Sequence, residues 1–175
     1  MKISKYKNIF LDRDGIINEV VIRGEIISSP RSYSEFLIKK DFINFLEALN
    51  DNSASNYNFF IITNQPDISR DLLKIRDLER MHDRLRNLVR LEKIYYCPHS
   101  DEDFCECRKP KPGMLNMAIN EYKLIRKECV FIGDSWKDIE AAMAANIDYL
   151  YLKTSYNSTI DDTSKEINSL LDLLI

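Results

Sequence analysis

The sequence predicts an α/β protein with a doubly wound, mainly parallel sheet of five or six strands. Short apolar runs alternate along the chain with segments whose apolar residues recur at helical spacing, an alternation typical of parallel sheets covered by helices. Polar or reactive residues follow four of the five runs, and such sheets bind ligands beyond the carboxyl ends of their strands. The length of 175 residues suits one sizeable core, so we expect residues 1–175 to form a single domain.

Buried strands are predicted at 8–12, 59–64, 93–97, 130–134 and 149–153. Helices are predicted by four apolar stripes, which are Phe42/Phe45/Leu46/Leu49, Leu72/Ile75/Leu78/Leu85/Val89, Leu115/Ala118/Ile119/Tyr122 and Trp136/Ile139/Ala142/Met143. A further apolar pattern predicts a closing helix over 167–174. The segment 13–40 contains Gly15, Gly24 and Pro30, so we expect a hairpin or flap and then a loop. It is too short for a cap domain.

Charge and composition exclude some partners. A net charge of −3 and an isoelectric point near 5.5 give no reason to expect nucleic acid binding. An apolar run of 18 residues and a signal-peptide pattern are both absent from the sequence, so we expect a cytoplasmic protein that binds no membrane. We also expect a monomer whose partner is a small molecule.

Two carboxylates, Asp12 and Asp14, stand one residue apart directly after the first predicted strand. This spacing allows one to attack as a nucleophile while the other moves protons. Gly15 permits a sharp turn beside them. The alternative is a pair that only stabilises a turn or a helix start. Thr63 and Asp134 end two other predicted strands, which makes a shared site more convincing than any one residue alone.

The stretch 97–107 holds three of the four cysteines and one of the two histidines, in the pattern C-x-H-x5-C-x-C. Thiolates and an imidazole at this spacing suit a tetrahedral, structural Zn²⁺. A redox pair or a coincidence of composition is the alternative. The fourth cysteine, Cys129, is interpreted as a small buried apolar residue, and His82 as a structural residue within a helical stripe.

Four blocks, "FLDRDGIIN", "IITNQ", "CRKPKPG" and "FIGDSWKD", in this order, resemble the haloacid dehalogenase superfamily of phosphatases. The resemblance spans about residues 8–153. The longer combination of "TNQPDI", "CPH", "CRKPKPGM" and "GDSWKDIEAAMAAN" is similar to the D-glycero-D-manno-heptose 1,7-bisphosphate phosphatase family. Histidinol-phosphate phosphatases form a sibling family with the same zinc loop.

The resemblance implies a role for each residue. Asp12 would attack phosphorus and form an aspartyl-phosphate, and Asp14 would act as the general acid and base. Catalytic Mg²⁺ would be held by the carboxylates of Asp12 and Asp134 and by the backbone carbonyl of Asp14, with Asp138 orienting these ligands. Thr63 and Lys109 would bind the phosphoryl group. Structural Zn²⁺ would be bound by Cys97, His99, Cys105 and Cys107.

Plain structural alternatives stand beside these roles. Thr63 and Asp138 are also residue types that favour helix starts. Lys109 is also of a type that is usually solvated, and Lys111 is an alternative anion-binding lysine.

The resemblance also implies a substrate. Four residues are expected to contact it, namely Arg13, Asn64, Gln65 and Arg108. The expected reaction is removal of the 7-phosphate from a heptose bisphosphate, feeding surface polysaccharide or lipopolysaccharide synthesis. Alternatives are histidinol phosphate, another small phosphate ester, a nucleic-acid 3′-end, and a scaffold protein without activity. Asp67, Asp71 and Ser135 depart from the family's usual residues and bear on substrate choice, not on the catalytic residues.

Overall fold

The computed structural model describes residues 3–51, 57–157 and 165–174 of the chain. Its strands are β1 (Asn8–Leu11), β2 (Val21–Arg23), β3 (Ile26–Ser28), β4 (Asn58–Asn64), β5 (Leu91–Cys97), β6 (Cys129–Gly133), β7 (Asp148–Leu152) and β8 (Glu166–Ile167). Its α-helices are α1 (Lys40–Asp51), α2 (Ile75–Leu88), α3 (Gly113–Glu121) and α4 (Trp136–Ala144). Among these helices of the described chain, none is long and apolar enough to span a membrane.

Six strands form one parallel sheet in the order β5-β4-β1-β6-β7-β8. The predicted α/β class with a parallel sheet is confirmed. Strand β1 lies at the centre, where Leu11 pairs with Ile61 of β4 and with Ile132 of β6. These three strands therefore end side by side, and the polar residues that follow them meet at one edge of the sheet.

The helices cover both faces of this sheet. Successive residues of a strand point to opposite faces, so Ile9 and Leu11 pack on one side and Phe10 on the other. On the first face lie apolar residues of α1 and α2, and on the second those of α3 and α4. Because the central strands are buried on both faces, their sequences read as continuous apolar runs.

The C-terminal helix predicted over 167–174 is wrong. Ile167 belongs to β8, where it pairs with Leu152, and Leu170–Leu174 forms a short 3₁₀ helix. Leu170 and Leu173 are buried, and an i, i+3 apolar spacing fits a 3₁₀ turn as well as an α-helix. The carboxylate of Asp41 accepts hydrogen bonds from this segment, which ties it to α1.

Two helical stripes are also corrected. Helix α2 begins at Ile75, so Leu72 lies before it. Leu72 belongs to a turn in which its amide donates to the carbonyl of Asp67. On α4, Trp136 and Met143 are exposed, and the buried face consists of Asp138, Ala141 and Ala142. Small alanines let this helix approach the sheet closely, which leaves the large side chains facing solvent.

The flap predicted after the first strand is an antiparallel hairpin of β2 and β3. Gly24 begins its turn with φ of 64°, a backbone conformation that favours glycine. Ile22 and Ile26 are exposed on it, while Ile27 and Ser28 contribute to the wall of the cavity described next. The hairpin therefore borders the site without enclosing it as a cap domain would.

Candidate active site

A cavity of about 570 Å³ opens beyond the carboxyl ends of β1, β4 and β6. All six residues to which the resemblance gives a role in catalysis or at Mg²⁺ line it: Asp12, Asp14, Thr63, Lys109, Asp134 and Asp138. Asp12, Thr63 and Asp134 are brought together because β1, β4 and β6 end side by side. Lys109 reaches the cavity from the loop before α3, and Asp138 reaches it from α4. The convergence expected at this edge of the sheet is what the structure shows.

Lys109 is a buried cation at the base of this cavity, with 3% of its surface exposed. Its Nζ lies 2.8 Å from Oδ1 of Asp12 and 2.6 Å from Oδ1 of Asp138, and it donates to the carbonyl of Ile62 at 3.1 Å. Burial by itself lowers the pKa of Lys109, but the two carboxylates outweigh it and raise the pKa. The lysine is therefore held in its charged form. Because its side chain is buried, the alternative of a solvated surface lysine is excluded.

Asn64 fixes the backbone of Lys109. Its Oδ1 accepts from the Lys109 amide and its Nδ2 donates to the Lys109 carbonyl, both at 3.0 Å. Lys111, the alternative anion-binding lysine, instead pairs with Glu106 at 2.8 Å and is exposed.

Three carboxylates, of Asp12, Asp134 and Asp138, offer oxygens that lie within 4.8 Å of one another. Burial, opposed by Lys109 and reinforced by the two neighbouring acids, raises the pKa of Asp12 well above its ordinary value. Burial also raises the pKa of Asp134 to about 6, although a hydrogen bond from Tyr156 opposes this. When ionised, three buried carboxylates beside one lysine leave an excess of negative charge. Such an oxygen donor set fits a hard divalent cation such as Mg²⁺.

Asp138 has both carboxylate oxygens engaged. Oδ1 accepts from Lys109, and Oδ2 accepts from the amide of Ser135 at 3.0 Å. The hydroxyl of Ser135 accepts from the amide of Lys137, which completes the start of α4. Asp138 thus serves the helix start and the site at once, so its two sequence interpretations are compatible.

Asp14 lies at the cavity wall within a dense hydrogen-bond network. Arg13 donates to both of its oxygens at 3.0 Å, Asn18 donates at 2.9 Å and Gln65 at 2.8 Å. Burial favours the neutral acid, but Arg13 and these hydrogen bonds outweigh it and lower the pKa of Asp14. The Gln65 amide also donates to the hydroxyl of Thr63 at 3.0 Å.

Arg13 and Gln65 were expected to contact substrate, but the structure places both behind Asp14. Each has 0% of its surface exposed, and neither lines the cavity. The Arg13 guanidinium is held between Asp14 and the ring of Phe36, whose centroid lies 5.5 Å away. His82 is also buried beside this arginine, and burial, aided by Arg13 and Arg86, lowers the pKa of His82 to about 3.

The four expected zinc ligands converge on one point. Their Sγ and Nδ1 atoms lie within 4.8 Å of one another, with sulfur–sulfur distances of 3.1 to 3.5 Å. All four cysteines of the chain are free thiols, and Cys129 is buried away from the cluster as interpreted from the sequence. Three thiols and an imidazole in this arrangement fit Zn²⁺, which favours the metal interpretation of the motif.

Arg108 follows the cluster directly and lines the cavity. Asp101 of the loop between the cysteines accepts from Nε at 2.6 Å and from Nη2 at 3.3 Å, and the carbonyl of His99 accepts from Nη1 at 3.3 Å. These contacts use three of the five N–H groups of a guanidinium. The loop therefore holds the Arg108 guanidinium at the cavity and leaves two of its N–H groups for a ligand.

Three residues depart from the usual residues of the family that the sequence resembles, and each has a structural role. Asp67 pairs with Arg31 at 2.7 Å and with Arg70 at 3.4 Å, so two arginines compensate its charge. Asp71 is exposed, with φ of 57°, in the turn before α2. Ser135 caps α4 and lines the cavity.

Sequence reasoning missed two residues that follow β7. Tyr156 donates to Oδ2 of Asp134 at 2.6 Å, and Asn157 donates to the backbone carbonyl of Asp134 at 3.0 Å. The available signal was their place beyond the carboxyl end of a predicted strand, the rule that located the other site residues. Gly15 is required beside them, because a Cβ there would lie 2.0 Å from Oδ2 of Asp134.

Comparison with known proteins identifies related phosphatases. Residues 106–169 match a family model described as HAD-hydrolase-like. The chain is 34% identical over 140 residues to D-glycero-beta-D-manno-heptose-1,7-bisphosphate 7-phosphatase of Neisseria meningitidis, covering 77% of this chain and 71% of that protein. It is 35% identical over 157 residues to D-glycero-alpha-D-manno-heptose-1,7-bisphosphate 7-phosphatase of Campylobacter jejuni, covering 85% and 83%.

A solved structure gives a similar result. The crystal structure of D,D-heptose 1,7-bisphosphate phosphatase from B. bronchiseptica, complexed with magnesium and phosphate, superimposes with a TM-score of 0.79 at 25% identity. The match covers 94% of this chain and 93% of that one. Fold, site geometry and sequence identity together lead to one assignment: the chain belongs to the haloacid dehalogenase superfamily of phosphatases.

Proposed function

We propose that the chain is a Mg²⁺-dependent phosphatase that removes the 7-phosphate from D-glycero-D-manno-heptose 1,7-bisphosphate. The observation that carries the proposal is the buried group of Asp12, Lys109, Asp134 and Asp138 at the base of an open cavity. The heptose is supported by the names of relatives that are 34% and 35% identical to this chain. The substrate-sized cavity of about 570 Å³ is compatible with a sugar phosphate,.

Asp12 is the proposed nucleophile. An oxygen of its carboxylate forms a bond to phosphorus while the bond from phosphorus to the sugar oxygen breaks, which gives an aspartyl-phosphate and an alkoxide. A water oxygen then forms a bond to phosphorus while the bond from phosphorus to the Asp12 oxygen breaks, which releases inorganic phosphate and regenerates the carboxylate. Lys109 steadies Asp12 before attack, and its charge stabilises the phosphoryl oxygens in the transition state. The hydroxyl of Thr63 donates to one of those oxygens.

Asp14 is the proposed acid and base. It gives a proton to the leaving sugar oxygen and takes one from the attacking water. Arg13 and Gln65 keep it ionised at rest, the form that accepts a proton from water. The negative phosphoryl group of a bound substrate favours the protonated form, so substrate binding prepares Asp14 as an acid. In this proposal Arg13 and Gln65 act through Asp14 and do not touch the substrate.

Each proposed metal has its own set of ligands. Asp12, Asp134 and the Asp14 carbonyl would hold Mg²⁺, which supplies positive charge against the repulsion between a carboxylate and a phosphate. Asp138, with both oxygens engaged, orients Lys109 and stays outside the ligand set. The Cys97, His99, Cys105 and Cys107 cluster would hold a structural Zn²⁺ and fix the loop that carries Arg108.

Arg108 is the proposed residue for the part of the substrate that is not hydrolysed. Its two remaining donors suit paired oxygens of a second phosphate or of a sugar. Asn64 supports Lys109 from the cavity wall. A single domain over residues 1–175, a monomeric state, a cytoplasmic location and the absence of nucleic-acid and membrane partners stay predictions of the sequence.

Phosphate release from a panel of substrates tests the proposal. The panel contains both anomers of heptose 1,7-bisphosphate, because both occur in the names of relatives, together with histidinol phosphate and simple sugar monophosphates. We expect the highest kcat/KM with one heptose anomer. Activity on histidinol phosphate without activity on either anomer would assign the chain to the sibling function instead.

A further inference from the structure

After β7 the chain forms a short turn in which two consecutive residues contact Asp134. Tyr156 donates from its hydroxyl to Oδ2 of the carboxylate at 2.6 Å. Asn157 donates from its amide to the Asp134 carbonyl at 3.0 Å and to the Leu152 carbonyl at 2.8 Å. Its own Oδ1 accepts from the amide of Thr154 at 3.0 Å. The turn is therefore closed on itself and attached to both the backbone and the side chain of Asp134.

The hydroxyl of Tyr156 occupies a confined place. Tyr156 lines the cavity, and a Cβ at Gly15 would lie 2.6 Å from its oxygen. The hydroxyl thus fits between Asp134 and the backbone that follows Asp14. A carboxylate oxygen accepts hydrogen bonds, so the phenol is the donor in this contact,.

A neutral donor at this place has a specific consequence. Lysine or arginine in the same position would satisfy Oδ2 of Asp134 but would also cancel one negative charge of the carboxylate cluster. The phenol satisfies one oxygen, fixes the carboxylate against rotation and leaves the charge available to a cation. Asp12 and Asp138 both pair with Lys109, so Asp134 is the acid of the cluster whose charge is not shared with that lysine in an ion pair.

We propose that Tyr156 is a positioning residue for magnesium binding, which holds Oδ2 of Asp134 and thereby presents Oδ1 to the cation. The proposal rests on the proposed Mg²⁺-dependent activity and extends it to a residue outside the sequence motifs. It treats the turn after β7 as part of the metal site. The competing possibility is that the hydroxyl occupies space that the cation needs and must move away when the cation binds.

The variant Tyr156→Phe, which removes only the hydroxyl, separates the two possibilities. Calorimetric titration of the metal-free protein with MgCl₂ measures the dissociation constant without turnover. We expect Tyr156→Phe to weaken Mg²⁺ binding about tenfold, the size expected for losing a hydrogen bond to a charged group. The Mg²⁺ concentration for half-maximal phosphate release should rise by a similar factor, with most of the lost rate recovered at high Mg²⁺.

Tyr95→Phe is the matched control, because Tyr95 donates to Glu121 at the same distance of 2.6 Å but lies outside the cavity. It should bind Mg²⁺ as the wild type does. An unchanged or tighter dissociation constant in Tyr156→Phe, with its circular dichroism spectrum intact, would overturn the positioning role. Failure of the proposed function looks different, since the wild-type protein would then release no phosphate from any substrate of the panel.

Discussion

Lys109 Nζ lies 2.8 Å from Oδ1 of Asp12, in an ion pair that is almost completely buried. The lysine follows the cysteine-rich loop, while the aspartate directly follows β1, a central strand of the sheet. Asp138 completes the group, since it accepts from the same ammonium at 2.6 Å. A buried cation held by two carboxylates is fixed in place before substrate arrives, which is the condition for effective electrostatic stabilisation of a transition state.

The role of Asp138 in holding this lysine is tested by Asp138→Asn. An amide still accepts the hydrogen bond from Ser135 that begins α4, but it offers Lys109 no charge. We expect kcat to fall about tenfold to a hundredfold, with a small change in the midpoint of thermal unfolding. Asp77→Asn is the control, because Asp77 is also a first-turn acid but lies on α2. Equal kinetic effects of the two substitutions would contradict the assignment.

The zinc cluster is tested by Cys107→Ser. Serine replaces a soft thiolate ligand, so the metal content should fall below that of the wild type, as measured by atomic emission on the purified protein. Phosphatase activity should fall with it, because Arg108 and Lys109 follow the cluster directly in the chain. Cys129→Ser lies outside the cluster and should keep its zinc. Full zinc content in Cys107→Ser would show that the ligand set is misassigned.

Arg108→Lys tests recognition of the substrate beyond the transferred phosphate. Lysine cannot match the planar fork that binds Asp101 and still leaves two donors for a ligand,. We expect KM for the heptose bisphosphate to rise about tenfold or more, while kcat changes much less. The exposed Arg86 on α2 supplies the control Arg86→Lys. A fall in kcat at unchanged KM would place Arg108 in the chemical step instead.

Asp148 gives the protein a pH-dependent contribution to stability far from the active site. Burial by itself raises the pKa of this carboxyl, but hydrogen bonds from Tyr6, Lys165 and Lys5 outweigh it and lower the pKa to about 2. Because the folded pKa lies below that of the unfolded chain, about 3.9, the carboxylate stabilises the fold above about pH 4. This contribution is lost as the pH falls toward 2.

Urea unfolding of the wild type and Asp148→Asn, at pH 7 and at pH 2.5, measures that contribution. The wild type should be more stable at pH 7, and the difference in unfolding free energy should shrink at pH 2.5. Other carboxylates titrate in both proteins, so the difference between the proteins is the informative quantity. A difference that stays constant or grows on acidification would exclude the depressed pKa.

The sequence located the strands and the site for one reason. Strands buried on both faces appear as continuous apolar runs, and in a parallel sheet the residues that follow them share an edge. Asp12, Thr63 and Asp134 can therefore be grouped from the sequence alone. Lys109 and the expected zinc ligands were predicted from motif spacing and from the family resemblance. The position of a strand end alone does not identify them, because most of them lie in a loop.

The predictions that the structure corrects depend on contacts between segments that are distant in sequence. Arg13 could be expected at the substrate from its place between two aspartates, but its burial against Phe36 depends on the packing of the chain after the flap. The charge of Asp67 is compensated by Arg31, which follows the hairpin and lies 36 positions before Asp67 in the sequence. The apolar spacing on α4 predicted that Trp136 faces the sheet. Trp136 is exposed instead, and Ala141 and Ala142 are buried. Periodicity alone does not distinguish these outcomes.

The measurement that tests the central claim most directly is phosphate release by Asp12→Asn under saturating substrate and Mg²⁺. Asparagine keeps the shape of the side chain and removes the nucleophilic oxygen, so we expect the rate to fall at least about a thousandfold. The circular dichroism spectrum and zinc content should match those of the wild type. A rate within tenfold of the wild type would show that another group attacks phosphorus.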